Sequence, residues 1–167
     1  MNQHPVLTWI HDLPLGAAAR DIPWLFPTFE TLHFIGLCIL LGAMLIVDLR
    51  LLGLFRDVAP SKIMKFSYVA AGGLLLNLLS GVGFFAADPL RYWANPAFQL
   101  KALLLAAAFV NIAVFELGAR QRVLAMPEHA DIGVGIKIMG TVSLGLWFAI
   151  LILGRLLPDW DGLGGFL

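Results

Sequence analysis

Four long apolar runs alternate along the chain with short, polar, proline-bearing stretches. An α-helix rises 1.5 Å per residue, so about 20 mostly apolar residues cross a bilayer. The runs predict four spans, at about residues 27–55, 66–87, 98–117 and 136–157. The connections "RDVAPSKIMK", "DPLRYWANP" and "ARQRVLAMPEHAD" hold Pro60, Pro89, Pro96 and Pro127, where a missing backbone donor does least harm. The expected fold is an all-α integral membrane protein. Residues 27–167 form a four-transmembrane-helix antiparallel bundle, and residues 1–26 form an N-terminal interfacial segment. That segment lacks a basic start, and Thr8, His11, Asp12 and Pro14 break its apolar run, so it does not read as a signal peptide. Its Trp9 and Trp24 suit ordered structure at the headgroups.

Composition supports a membrane chain. Hydrophobic residues make up 60% and charged residues 13%, against about 25% charged in soluble domains. Mean hydropathy is +0.87. The formal net charge is zero, which gives nucleic acid no electrostatic footing. The lipid bilayer is the partner expected first. The single cysteine, Cys38, excludes a disulfide framework, a CxxC redox motif, a cysteine-rich zinc site and a CxxCH haem attachment.

Basic residues set the direction. The first connection and its helix end hold Arg50, Arg56, Lys62 and Lys65; the third holds Arg120 and Arg122, with Lys137 nearby. The positive-inside rule puts these two connections in the cytoplasm and both termini outside. Polar residues then fall into layers. Glu30, His33, Lys101 and Arg155 share the outer level. Asn77, Ser80, Asn111 and Ser143 share the middle. Asp48, Arg50, Glu116 and Arg120 share the inner rim.

An ionisable side chain inside a span costs several kcal/mol unless paired, hydrated or able to reach the interface. His33 lies about 9 Å into its helix, and Glu30 precedes it by one turn on the same face. In one reading Glu30 orients His33, which binds haem iron, another metal or a proton. In the other, His33 is a structural histidine bonded to a neighbouring helix. Lys101 and Arg155 either snorkel to the headgroups or meet an anionic group such as a haem propionate. The stripe of Gly73, Asn77, Ser80, Gly81 and Phe84 on helix 2, and that of Gly140, Ser143, Trp147 and Gly154 on helix 4, suit close packing. They also suit room for a flat cofactor beside Asn77 and Trp147. Copper or zinc would call on His33, Glu30 and His11, with His4 on the same side. A di-iron bundle needs two Glu-x-x-His motifs and two more carboxylates, whereas Glu30-x-x-His33 occurs once; HExxH, P-loop and GxSxG patterns are absent.

"LHFIGLCILLGAMLI", "KFSYVAAGGLLLNLLSGVGFFA" and "NPAFQLKALLLAAAFVNIAVFE" together resemble the bacterial copper-resistance-D superfamily of inner-membrane bundles, over about residues 31–116. "SLGLWFAILILGRLL" and "VDLRLLG" look more like an uncharacterised four-span branch of it. Related membrane protoporphyrinogen oxidases carry b-type haem and depend on a histidine in helix 1 and a lysine in helix 3, which correspond here to His33 and Lys101. The resemblance implies a multi-pass protein of the bacterial inner membrane with periplasmic termini. The leading expectation is a small haem b redox subunit, with His33, Lys101, Arg155, Trp147 and Asn77 around the cofactor. A copper-binding or copper-transport protein using His33, Glu30 and His11 is the alternative. A non-catalytic accessory subunit of a larger membrane complex, or a homo-oligomer, is the third reading.

Overall fold

The computed structural model describes residues 5–160; His4 lies outside the described residues. Two short helices, α1 (Pro5–His11) and α2 (Pro14–Asp21), precede the long α3 (Leu25–Leu51). The short α4 (Pro60–Ile63) leads into α5 (Phe66–Ala87), and the short α6 (Pro89–Ala94) leads into α7 (Pro96–Gly118). After α8 (Arg120–Leu124) comes α9 (Val134–Leu156), closed by a 3₁₀ turn over Leu157–Asp159. Among the described residues there is no strand, and four helices are long and apolar enough to cross a membrane. Their outward faces are apolar; Leu117 is 90% exposed. Such a surface suits lipid and not water. This is an all-α, multi-pass membrane bundle.

The first span is shorter at its end than the sequence predicts. It stops at Leu51 rather than near Phe55, because Gly53 takes a left-handed φ of 98°. Gly53 N donates to Arg50 O at 3.0 Å, and Leu54 N reaches back to Leu49 O at 3.0 Å. That is the bond pattern of a Schellman cap, which glycine adopts without a Cβ penalty. Leu52, Leu54 and Phe55 prolong the apolar run beyond the helix.

The helices form two close pairs. α3 packs along α5, and α7 along α9; α3 also touches α9, whereas α5 and α7 hardly meet. The α3–α5 seam is tight because Gly36 and Gly73 face each other. Two apolar clusters fill the interior. Leu40, Ala43, Ala70, Ala108, Trp147 and Ile150 lie midway, and Val47, Leu51, Met64, Phe115 and Val123 lie toward the end with the basic connections. The N-terminal segment docks on the other end. Arg20 Nη1 donates to Ala87 O at 3.2 Å, and its Nη2 to His11 O at 3.0 Å.

Asn95 joins the second hairpin at that end. Its Oδ1 accepts from Ala97 N at 2.9 Å and Phe98 N at 3.4 Å, capping α7. Its Nδ2 donates to Leu157 O at 3.2 Å, beyond the end of α9. Removing an N-cap costs about 1–2 kcal/mol, and a buried carbonyl losing its donor adds to that. Asn95→Ala is therefore expected to destabilise the bundle by about 2 kcal/mol. Asn95→Asp, which keeps the cap, should fall between the two. Thermal unfolding in detergent tests this; coincident curves for wild type and Asn95→Ala would refute the double role.

Candidate functional site

His33 sits on the α5-facing side of α3, two turns into the helix. Its Nδ1 lies 2.9 Å from Ser80 Oγ on α5. Ser80 Oγ also lies 2.8 Å from Leu76 O and 3.0 Å from Asn77 O. A hydroxyl has one proton, and both carbonyls can only accept. The Ser80 proton therefore goes to its own helix, and Ser80 Oγ accepts from His33 Nδ1–H. This assignment follows from the hydrogen-bond network. It leaves Nε2 with the lone pair. Asn77 Nδ2 donates to His33 O at 2.9 Å, so one α5 stripe holds both the ring and the backbone of His33. Phe84 meets the ring edge-on with centroids 5.3 Å apart. Gly81 keeps the space beside Cε1 open: an added Cβ there would find only that atom, at 3.7 Å.

The orienting partner is thus Ser80, not Glu30. Glu30 is exposed, and its carboxylate faces the second connection, where it acts on Tyr92. Burial pushes the Tyr92 phenol up; Arg91 opposes this, and Asp88 and Glu30 add to it. His11 bonds its neighbour Asp12 at 3.1 Å. Among the described residues no three His, Cys, Asp or Glu side chains converge, so His33, Glu30 and His11 do not form the copper set the sequence suggests.

Lys101, on α7, comes close enough for its charge to act on the His33 ring. Its Nζ reaches across to α9, where Gly154 makes room for it: an added Cβ would stand 3.1 Å from Nζ. No hydrogen bond or ion pair among the described residues engages that ammonium. Arg155 is not part of this group. Its Nη1 pairs with Asp159 at 2.6 Å on the exposed rim. Trp147 lies elsewhere too, packed with Leu40 and Ala43 in the middle of the bundle. His33, Asn77 and Lys101 are the expected cofactor residues that share one level.

Asp48 lies at the inner level with Glu116 and Arg120, as expected, but it is buried, 1% exposed, and lines a cavity that also takes in Ser143 and Asn111. Two residues along a helix are turned about 200° apart, so Asp48 points inward while Arg50 turns to the connections. The Gly140–Ser143–Trp147 stripe was the available signal, since it presents a hydroxyl at that level. Ser143 approaches the Asp48 carboxyl, but neither Asp48 Oδ2 nor Ser143 Oγ completes a directed hydrogen bond.

No curated protein and no solved structure matches the chain. The model of a family of unknown function, DUF6644, matches residues 6–160, which takes in all four spans and both polar groups described above, and the chain belongs to that family.

Proposed function

We propose that the protein is a small haem-b-binding redox subunit of the bacterial inner membrane, with periplasmic termini and with His33 as the protein ligand to iron. One observation carries this reading: Ser80 Oγ on α5 stands 2.9 Å from His33 Nδ1, so the neighbouring helix fixes the imidazole by that nitrogen. A metal-bound histidine characteristically donates its other ring N–H to a fixed acceptor, which sets tautomer and orientation. The unpaired Lys101 ammonium at the same level suits a propionate carboxylate. Bound haem would supply one-electron chemistry; the chain's residues would anchor the iron and balance the propionate charge. No second histidine lies within a span, so the spans offer one imidazole. The likeness of the His33 and Lys101 segments to the copper-resistance-D superfamily adds support.

An absorption spectrum of the protein, expressed with haem supplied and purified in detergent, tests this. A Soret band that sharpens on dithionite reduction is expected. It should vanish in His33→Ala, with helical circular dichroism unchanged, and should shift in Ser80→Ala, where Nδ1 loses its fixed acceptor. Absence of a Soret band after haem reconstitution, in a folded protein, would overturn the haem reading and favour an accessory subunit of a larger complex.

A further inference from the structure

A cavity of about 310 Å³ lies between α3, α5, α7 and α9, on the side of the His33 layer nearer the basic connections. That is at the lower edge of small-molecule sites, which run to about 300–1,000 Å³. Its wall is almost wholly apolar, with Trp147 and Phe109 among the lining side chains. α5 and α7 do not pack closely, and the lining residues Ala71 on α5 and Phe109 on α7 are exposed, so the cavity opens sideways between them. Its far end is closed by a strut. Arg120 Nη1 donates to both Glu116 carboxylate oxygens at 2.7 and 2.8 Å, and Nη2 donates to Tyr68 Oη on α5 at 2.8 Å.

Into this apolar space points Asp48, with Oδ2 lacking any hydrogen-bond partner and Ser143 Oγ in the same condition. No cation among the described residues pairs with it. A lone carboxylate at this depth costs several kcal/mol unless something compensates it. A hydroxyl could satisfy Oδ2 but not its charge. An ammonium does both, since it brings donors only and a positive charge. Aromatic walls also favour a cation over an anion.

We propose that this cavity binds a lipid-soluble amine. Its ammonium donates to Asp48 Oδ2 and Ser143 Oγ, and its apolar body lies against Trp147 and Phe109. The ligand enters from the bilayer between α5 and α7. The site uses neither His33, Ser80 nor Lys101, and stands or falls separately from the haem reading.

The test uses the full chain in phosphatidylcholine nanodiscs, titrated calorimetrically with phenylbutylamine, phenylbutanol and phenylbutanoate, with empty discs subtracted. These share one apolar body and differ in the head. Saturable binding of the amine is expected, with the alcohol at least about tenfold weaker and the acid not binding. Asp48→Asn should weaken amine binding about ten- to a hundredfold, the worth of a hydrogen bond to a charged group. Ala71→Leu, which narrows the opening while keeping the carboxylate, should also weaken it, and provides the answer if Asp48→Asn does not fold. Equal binding of amine and alcohol would overturn the assignment to an ammonium. Binding unchanged in both variants, or none above empty discs, would overturn the site. A Soret band in the same samples is expected to be indifferent to either substitution.

Discussion

Gly73→Ala is expected to lose more stability than any other single-methyl insertion along the four spans described here. A Cβ at Gly73 would stand 2.6 Å from Leu40 N and 2.8 Å from Gly36 O. The reciprocal Cβ at Gly36 would stand 2.9 Å from both Asn77 N and Gly73 O. These neighbours are backbone atoms of helices and cannot swing aside as a side chain does. The methyl must push α3 and α5 apart. Helices in lipid gain nothing from hydrophobic exclusion against each other, so close van der Waals approach carries their association. Overpacking costs about 1–3 kcal/mol, and more where backbones collide. The same separation would stretch the 2.9 Å bonds from Asn77 to His33 O and from His33 to Ser80, which lie along the same seam. Gly72→Ala is the matched control, because an added Cβ there meets nothing within 4 Å. It should be neutral or stabilising by up to about 1 kcal/mol through helix propensity. Unfolding by SDS titration of mixed micelles compares the two; equal midpoints would show that the seam is not tight.

That seam also explains what was legible in the sequence and what was not. Bilayer thickness fixes how long an apolar run must be, so the four spans could be read from length alone. Their ends depend on conformation. Leu54 and Phe55 are as apolar as the helix before them, and only the left-handed φ of Gly53 stops it. Spacing could place His33, Asn77 and Ser80 on stripes, since helical period determines faces. It could not say how α3 is rotated. The contact of Gly36 with Gly73 sets that rotation, and it turns His33 toward Ser80 while Glu30 remains exposed. Asp48 shares the inner level with Glu116 and Arg120, as its position predicts, but its burial depends on helix rotation, which turns it to a different side from Arg50. The unpaired state of Lys101 and the orphaned Asp48 oxygen depend on what other helices do not bring near. Such absences leave no pattern along a chain.

Arg50→Met should open the end of the bundle that carries the basic connections. Arg50 is 1% exposed, although it ends a helix between two loops. Its Nε donates to Val58 O at 3.0 Å in the first connection, and its Nη2 to Glu128 O at 3.2 Å in the third. One rigid guanidinium thus joins segments 70 residues apart in sequence, the interval from Val58 to Glu128. The first connection needs such a hold, because Phe55 sits at φ 54°, a left-handed conformation that costs a non-glycine residue about 1–2 kcal/mol. Methionine keeps the apolar stem but strips both carbonyls of their donor, at about 1–3 kcal/mol for each that stays buried. A net loss of about 2–4 kcal/mol is expected. Lysine, a point donor without the fork, should recover only part of it. Ion pairs also cross this gap, between Lys62 and Glu128 at 3.5 Å and between Arg56 and Asp131 at 3.5 Å. Both are solvent-exposed, and such pairs contribute about 0–1 kcal/mol. Lys62→Ala should therefore change little. Limited trypsinolysis distinguishes the two kinds of contact, since Arg56 and Lys62 are cleavage sites within the first connection. Cutting at Arg56 should accelerate in Arg50→Met and stay slow in Lys62→Ala. If both variants cut at the wild-type rate, the buried guanidinium is not what holds the two connections together.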